Sequence, residues 1–315
     1  MDVTYPYDRE LFSRLFLNCS QRQSLVMLAE HEPLTHLLLQ RCLISTDDIL
    51  RQIVREQRPK YAFDSGLLDP DDLADIGVVA EETTFGSYAE ARGLLLDVVA
   101  EEGYAILVGD VFYWPHCPEY TRQHLTHSIL LKKYDEDTAR WSIVDDNPAS
   151  LLCEYAYPEE VIAAAFDNGE LRRVRYFTRK DFDASEAAAA SRRTLVRRLE
   201  RYEDGLTLFT GAADFIACPW IAPERVVSLL HDAFSLYQGS RTALTEYVRR
   251  VLDDPRAEDV LTTITRHSAE VQNQLLLAKV TGSLDAGPVT EVCVRLAEAE
   301  RELLHRLRTT SGERV

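Results

Sequence analysis

The sequence predicts an α+β protein: a mixed N-terminal region built on an antiparallel sheet, then an all-α region. Three observations predict it. Segments rich in β-branched and aromatic residues crowd between 104 and 146, with turn residues among them. Helix-period patterns come before them. From about 183 onward the chain carries helical patterns alone.

The elements follow in order. Residues 19–30, CSQRQSLVMLAE, read as a helix with Leu25, Leu28 and Ala29 on one face. Further helices are expected at 33–43 and at 46–56, the latter opened by Thr46 with Asp47 and Asp48 in its first turn. Ser87 with Glu90 three residues on forms a capping box, and starts a helix over 87–101. YAILVGDVFY at 104–113 reads as a strand. THSILLKKY at 126–134 and ARWSIVDD at 139–146 read as two more, joined by DEDT at 135–138 into an antiparallel hairpin. RRVRYFT at 172–178 can add another. An Ala-rich helix over 184–203 follows, then helical patterns near 222–237, 239–252, 255–280 and 287–309, the last strongly amphipathic. The expected domains are therefore 1–182 and 183–315.

Composition is globular, with 46% hydrophobic and 28% charged residues. The net charge of −17 argues against nucleic acid or an anionic membrane as partner, because both demand a basic footprint. The one basic run, Arg192, Arg193, Arg197, Arg198 and Arg201, reads as a solvated helix face or as a local patch for an acidic partner. MDVTYPYDRELFSRLF is charged and has no apolar core, so no signal peptide is expected, and no apolar run is long enough to span a membrane. Six well-separated cysteines without a CxxC pair fit reduced thiols in a cytoplasm. The apolar faces of the last helices suit packing within the chain or a homodimer.

The chemistry-bearing residues form an ordered set. Cys19 stands at the start of a helix, where the dipole and exposed amides lower a thiol pKa and can hold an oxyanion. His127 opens a strand at a position where an apolar residue is ordinary. Asp145, Asp146 and Asn147 end the partner strand. The turn near 136–137 is about equidistant from 127 and 145, so an antiparallel hairpin makes His127 and Asp145 neighbours. Each residue alone is commonplace: a cysteine before a helix is usually a small buried hydrophobe, and Asp-Asp-Asn-Pro is ordinary turn chemistry. The order of helix cysteine, strand histidine and strand acid points to a nucleophile, a base and an orienting group. Cys42 and Cys293 sit in apolar helical patterns and read as core. His116, Cys117, His124 and His127 match no zinc spacing, so neither metal nor cofactor is expected.

NCSQRQSLVMLAEH at 18–31, EEGYAILVGDVFYWPHCPEY at 101–120 and HLTHSILLKKYDEDTARWSIVDDNP at 124–148 resemble the butirosin biosynthesis protein H family. GSRTALTEYVRRVL at 239–252 and LAEAERELLHRL at 296–307 extend the resemblance over most of the chain. It implies a papain-like N-terminal domain, similar to bacteriocin leader peptidases, with a helical C-terminal domain. It also implies acyl transfer in natural-product (antibiotic) biosynthesis. An acyl group moves from a phosphopantetheine thioester on an acyl or peptidyl carrier protein, through S-acylated Cys19, to a small amine or hydroxyl acceptor. His127 would be the base and Asp145 its orienting acid, with Asp146 and Asn147 as alternatives. Related peptidases carry a Gln before the cysteine; here LFSRLFLN has none, leaving Asn18, Gln21 or the Cys19 amide for the oxyanion. Asp110 is a candidate for the acceptor side. The aromatic loop Phe112, Tyr113, Trp114 with Tyr120 could wall a water-excluding pocket or pack between domains. The same residues would also suit a thioesterase or cysteine peptidase, and a non-catalytic scaffold retaining the fold is the reading from another class.

Overall fold

The computed structural model describes residues 3–313, the side chains of 311–313 excepted. They fall into two compact units. One is drawn from Met1–Phe12, Cys19–Pro33 and Ile76–Phe182, the other from Ser13–Asn18, Leu34–Asp75 and Asp183–Val315.

The first unit is built on a sheet. Its strands are β1 (Val3–Thr4), β2 (Val78–Thr84), β3 (Ala105–Asp110), β4 (Thr126–Asp135), β5 (Arg140–Asp146), β6 (Leu152–Pro158) and β7 (Arg173–Arg179). Among the described residues they form one seven-stranded sheet in the order β1-β6-β5-β4-β3-β7-β2. Every pairing is antiparallel. Three helices belong to it: α1 (Cys19–His31), α2 (Tyr88–Glu102) and α3 (Glu159–Asp167). Alternation in the strands gives one sheet face Ala105, Leu107, Ile129, Leu131, Trp141 and Ile143, which bury against Leu95 of α2 and Phe166 of α3. Ser87 caps α2 through its hydroxyl, accepting Glu90 N at 3.4 Å, while the Glu90 carboxylate takes Gly86 N at 2.9 Å. The expected strand over 104–113 ends early, at Asp110. That carboxylate accepts Phe112 N at 3.0 Å and turns the chain into a 3-10 segment, Val111–Tyr113.

The second unit is helical: α4 (Ala184–Arg201), α5 (Pro223–Tyr247), α6 (Pro255–Thr281) and α7 (Ala286–Glu313). The patterns at 222–237 and 239–252 prove to be continuous helix, running from α5 into a π turn at Val248–Leu252. Gly239 does not break it. A Cβ there would stand 2.7 Å from the Phe16 backbone N, so the glycine permits a close approach. The segment 33–43 is a 3-10 helix, Thr35–Cys42. The expected helix at 46–56 splits into Thr46–Ile49, capped by Ser45 and not Thr46, and a π segment Leu50–Arg55. Arg241 and Glu300 are both fully buried and pair at 2.6 Å. Tyr237 Oη donates to Glu300 at 2.6 Å, and Arg241 donates to Cys42 O and Ile44 O, so both charges of the pair are met. The arginine run on α4 is divided. Arg192 and Arg198 are spent on the carbonyls of Val251, Gln40 and Leu43, while Arg193, Arg197 and Arg201 are exposed. No described helix is long and apolar enough to cross a membrane.

Candidate active site

Cys19 is the first residue of α1. The first turn of a helix has amide N–H groups without intrahelical acceptors and carries the positive end of the macrodipole. His127 is the second residue of β4 and lies opposite Gly109 of β3. A Cβ on Gly109 would meet Ala165 O at 2.9 Å and Trp114 Cζ2 at 3.0 Å. The bare backbone there lets α3 and the fully buried Trp114 close in, and the indole stands edge-on to the His127 ring with centroids 5.7 Å apart.

Asp145 lies one residue from the end of β5, fully buried. Leu130 is paired with Val144, and continuing that register sets Asp145 opposite Ile129, two residues from His127 on the same face. Side chains so placed meet diagonally. His127 Nε2 lies 2.9 Å from Asp145 Oδ1 and 2.8 Å from Oδ2. The imidazole also hydrogen-bonds the Cys19 side chain, and with Nε2 on Asp145 that contact falls to Nδ1. Burial alone would lower the His127 pKa. The charges of Asp145 and Cys19 outweigh it and hold His127 well above an ordinary histidine. Burial would likewise raise Asp145, yet the charges and hydrogen bonds of His127 and His116 hold it well below the usual carboxylate range.

Asp145 is shared. His116 Nε2 lies 2.8 Å from Oδ2, and Gln23 Nε2 donates to Oδ1 at 3.1 Å. Gln23 also exchanges two hydrogen bonds with Ser128, donating to its carbonyl at 2.7 Å and accepting from its hydroxyl at 2.8 Å. These contacts tie α1 to the ends of β4 and β5. His116, Cys117 and Asp145 have potential metal-ligating atoms within 4.8 Å of one another. The His116 nitrogen and an Asp145 oxygen hydrogen-bond each other, and burial followed by the Asp145 charge pushes the Cys117 thiol up.

The other sequence candidates have contacts of their own. Asp146 forms an ion pair with the buried Arg22, which also donates to Phe12 O and Ser150 O. Asn147 Oδ1 closes a turn by accepting from Ala149 N and Leu151 N. Asn18 groups with the helical unit, donating to Tyr61 O at 3.4 Å. Gln21 is half-buried in the first turn of α1. Asp110 accepts from Phe112 N and Leu125 N and meets His124 Nδ1 at 2.6 Å, so it stabilises its own loop. Trp114 is core, Tyr113 packs beside that core against Phe112, and Tyr120 is 40% exposed.

Sequence reasoning missed His116 and Gln23 as partners of Asp145. Gln23 carried a usable signal: four residues after Cys19 it shares that face of the helix. His116 carried none, since it lies in a loop and reaches Asp145 only through the tertiary fold.

No family model matches the chain. A transferase of Niallia circulans is 21% identical to it over 308 residues, covering 96% of this chain and 98% of the relative. The name of that relative specifies transfer of 4-(γ-L-glutamylamino)-(S)-2-hydroxybutanoate, with the BtrI acyl-carrier protein bearing the acyl group and ribostamycin as the other substrate. The chain is thus similar, end to end, to a transferase that acts on an acyl-carrier-protein-bound substrate.

Proposed function

We propose that this protein is a cysteine-dependent acyltransferase whose donor is a carrier-protein thioester and whose acceptor is a small amine or alcohol. The observation that carries the reading is the bonded series Cys19, His127, Asp145 at the mouth of a helix. An acyl donor on a carrier protein is suggested by the relative. A papain-like reading of the sheet unit agrees with a nucleophile at a helix start and its base and acid on neighbouring strands.

The steps balance as follows. His127 holds the thiol proton as an imidazolium, and the Cys19 thiolate attacks the thioester carbonyl carbon. The carbon–sulfur bond to the carrier breaks, and the departing pantetheine thiolate takes the proton from His127. The acceptor N–H or O–H then attacks the acyl-Cys19 thioester while His127 takes its proton, and the Cys19 thiolate leaves. Asp145 keeps the imidazole oriented and offsets its charge throughout. First-turn amides of α1 are the donors for the oxyanion. Thioester exchange is nearly isoenergetic, so amide formation supplies the direction.

The test is intact-protein mass spectrometry after incubation with a panel of acyl thioesters, comparing wild type with Cys19→Ala. A mass gain lost in the variant, and passed on to an amine, is the expected result. An adduct released only as free acid would mean a thioesterase. No adduct with any thioester, together with ordinary Cys19 alkylation, would leave a scaffold.

A further inference from the structure

We infer that His116 is a positioning residue for this site: it fixes the Asp145 carboxylate that in turn orients His127. The inference rests on the acyl-transfer reading and extends it to a residue outside the Cys-His-Asp series.

The geometry is that of a second histidine on one carboxylate. The His116 side chain is only 3% exposed, and its Nε2 lies 2.8 Å from Asp145 Oδ2. Its Nδ1 lies 3.1 Å from Tyr157 Oη. Both ring nitrogens are thus held, Nε2 on the carboxylate and Nδ1 on the Tyr157 hydroxyl. The ring is stacked on Tyr155 (centroids 4.4 Å apart, 22° between planes) and on Tyr157 (5.6 Å, 18°), both on β6. β6 is hydrogen-bonded to β5, which carries Asp145, with Cys153 opposite it. Two neighbouring strands therefore hold the carboxylate and the aromatic cradle of its second donor. A carboxylate bonded to His127 alone could rotate about its last torsion, and the imidazole could follow it. With His116 and Gln23 also attached, Asp145 has one orientation, and Nδ1 of His127 stays on Cys19.

Two substitutions separate the hydrogen bond from the packing. His116→Phe keeps a flat ring for the tyrosine stack and deletes the Nε2 donor. His116→Gln returns an N–H at the position of Nε2. The readout is the iodoacetamide alkylation rate of Cys19 in the full chain at pH 7, followed by peptide mass spectrometry, with thermal melts run alongside. Loss of one bond to a charged group predicts roughly a tenfold slower rate in His116→Phe. His116→Gln is expected to recover most of it. Wild-type rates in all three proteins, or equal losses in Phe and Gln, would overturn the inference. A wild-type Cys19 no faster than the other five thiols would instead remove the acyl-transfer reading beneath it, so the two failures are distinguishable.

Discussion

Replacing Asp145 with Asn tests whether the buried carboxylate sustains the reactive pair. The change is isosteric and removes one charge from a side chain with no solvent exposure. Three donors meet that carboxylate: His127, His116 and Gln23. An Asn offers one oxygen and one NH2, so at least one of the three donors must face another donor. Losing the charge-assisted character of two histidine bonds costs roughly 1–2 kcal/mol each in net terms. The orientation of His127 should suffer by a similar amount, which corresponds to about 10²-fold in Cys19 reactivity at neutral pH. The pH dependence sharpens the test. His127 is raised in the folded state, so its stabilisation is complete below about pH 6.5 and lost as pH rises through its folded value. Asp145 is depressed, so its contribution is present above about pH 3.9 and lost as pH falls towards its much lower folded value. The wild-type pair therefore spans the whole neutral range. In Asp145→Asn the charge that raised His127 is gone, its pKa drops, and Cys19 should ionise more like a free thiol. Alkylation measured from pH 5 to 10 should be nearly flat in the wild type. In the variant it should rise with pH, the deficit being largest near pH 6 and small above about pH 9, where any thiol is ionised. A folded Asp145→Asn protein with the wild-type rate profile would refute the orienting role.

Two further outcomes follow from the structure. Cys117→Ala should leave the Cys19 alkylation rate and the acyl adduct unchanged, because the Cys117 thiol is buried and held protonated by burial and by Asp145; an adduct that disappears with Cys117, as seen by intact mass, would reassign the nucleophile. Arg241→Met should destabilise the helical unit by about 3–5 kcal/mol, since it leaves Glu300 charged and buried, whereas Arg241→Met with Glu300→Leu should regain most of that loss. Urea denaturation of both proteins checks this, and equal instability of the single and double variants would count against the account.

Much of the sheet was legible because its signals are local. The strands at 126–134 and 139–146 carry β-branched residues on either side of a turn, and period-two geometry then fixes which residues share a face. That is why the hairpin pairs His127 with Asp145 from the sequence pattern alone. α3 was legible as well and went unread: Glu159 and Glu160 open it, and Ile162, Ala165 and Phe166 follow at helical spacing. β2 is harder, because Glu81 to Thr84 are exposed and give the strand no buried alternation to detect. The joining of 13–18 and 34–75 to the helical unit has no local signature at all, because it depends on which surfaces meet after each segment has formed.

The site divides along the same line. Cys19 and His127 are commonplace alone and stand out as candidates only through their order with Asp145, a helix start followed by two strand positions. What holds Asp145 is different in kind. His116 comes from a loop and is fixed by tyrosines of β6, so its role exists only once β5 and β6 have paired. Gln23 is intermediate. The resemblance implies a Gln before the cysteine, where an oxyanion donor would stand, and this sequence has none there. The buried Gln lies four residues after it, on the same face of α1, and its amide goes to Asp145 and Ser128. Those bonds take up the Gln23 side chain, and on the acyl-transfer reading the oxyanion then falls to other donors at the start of α1. Substituting Gln23 should then slow Cys19 through the orientation of Asp145 while keeping the flat wild-type pH profile, because the charge that raises His127 remains.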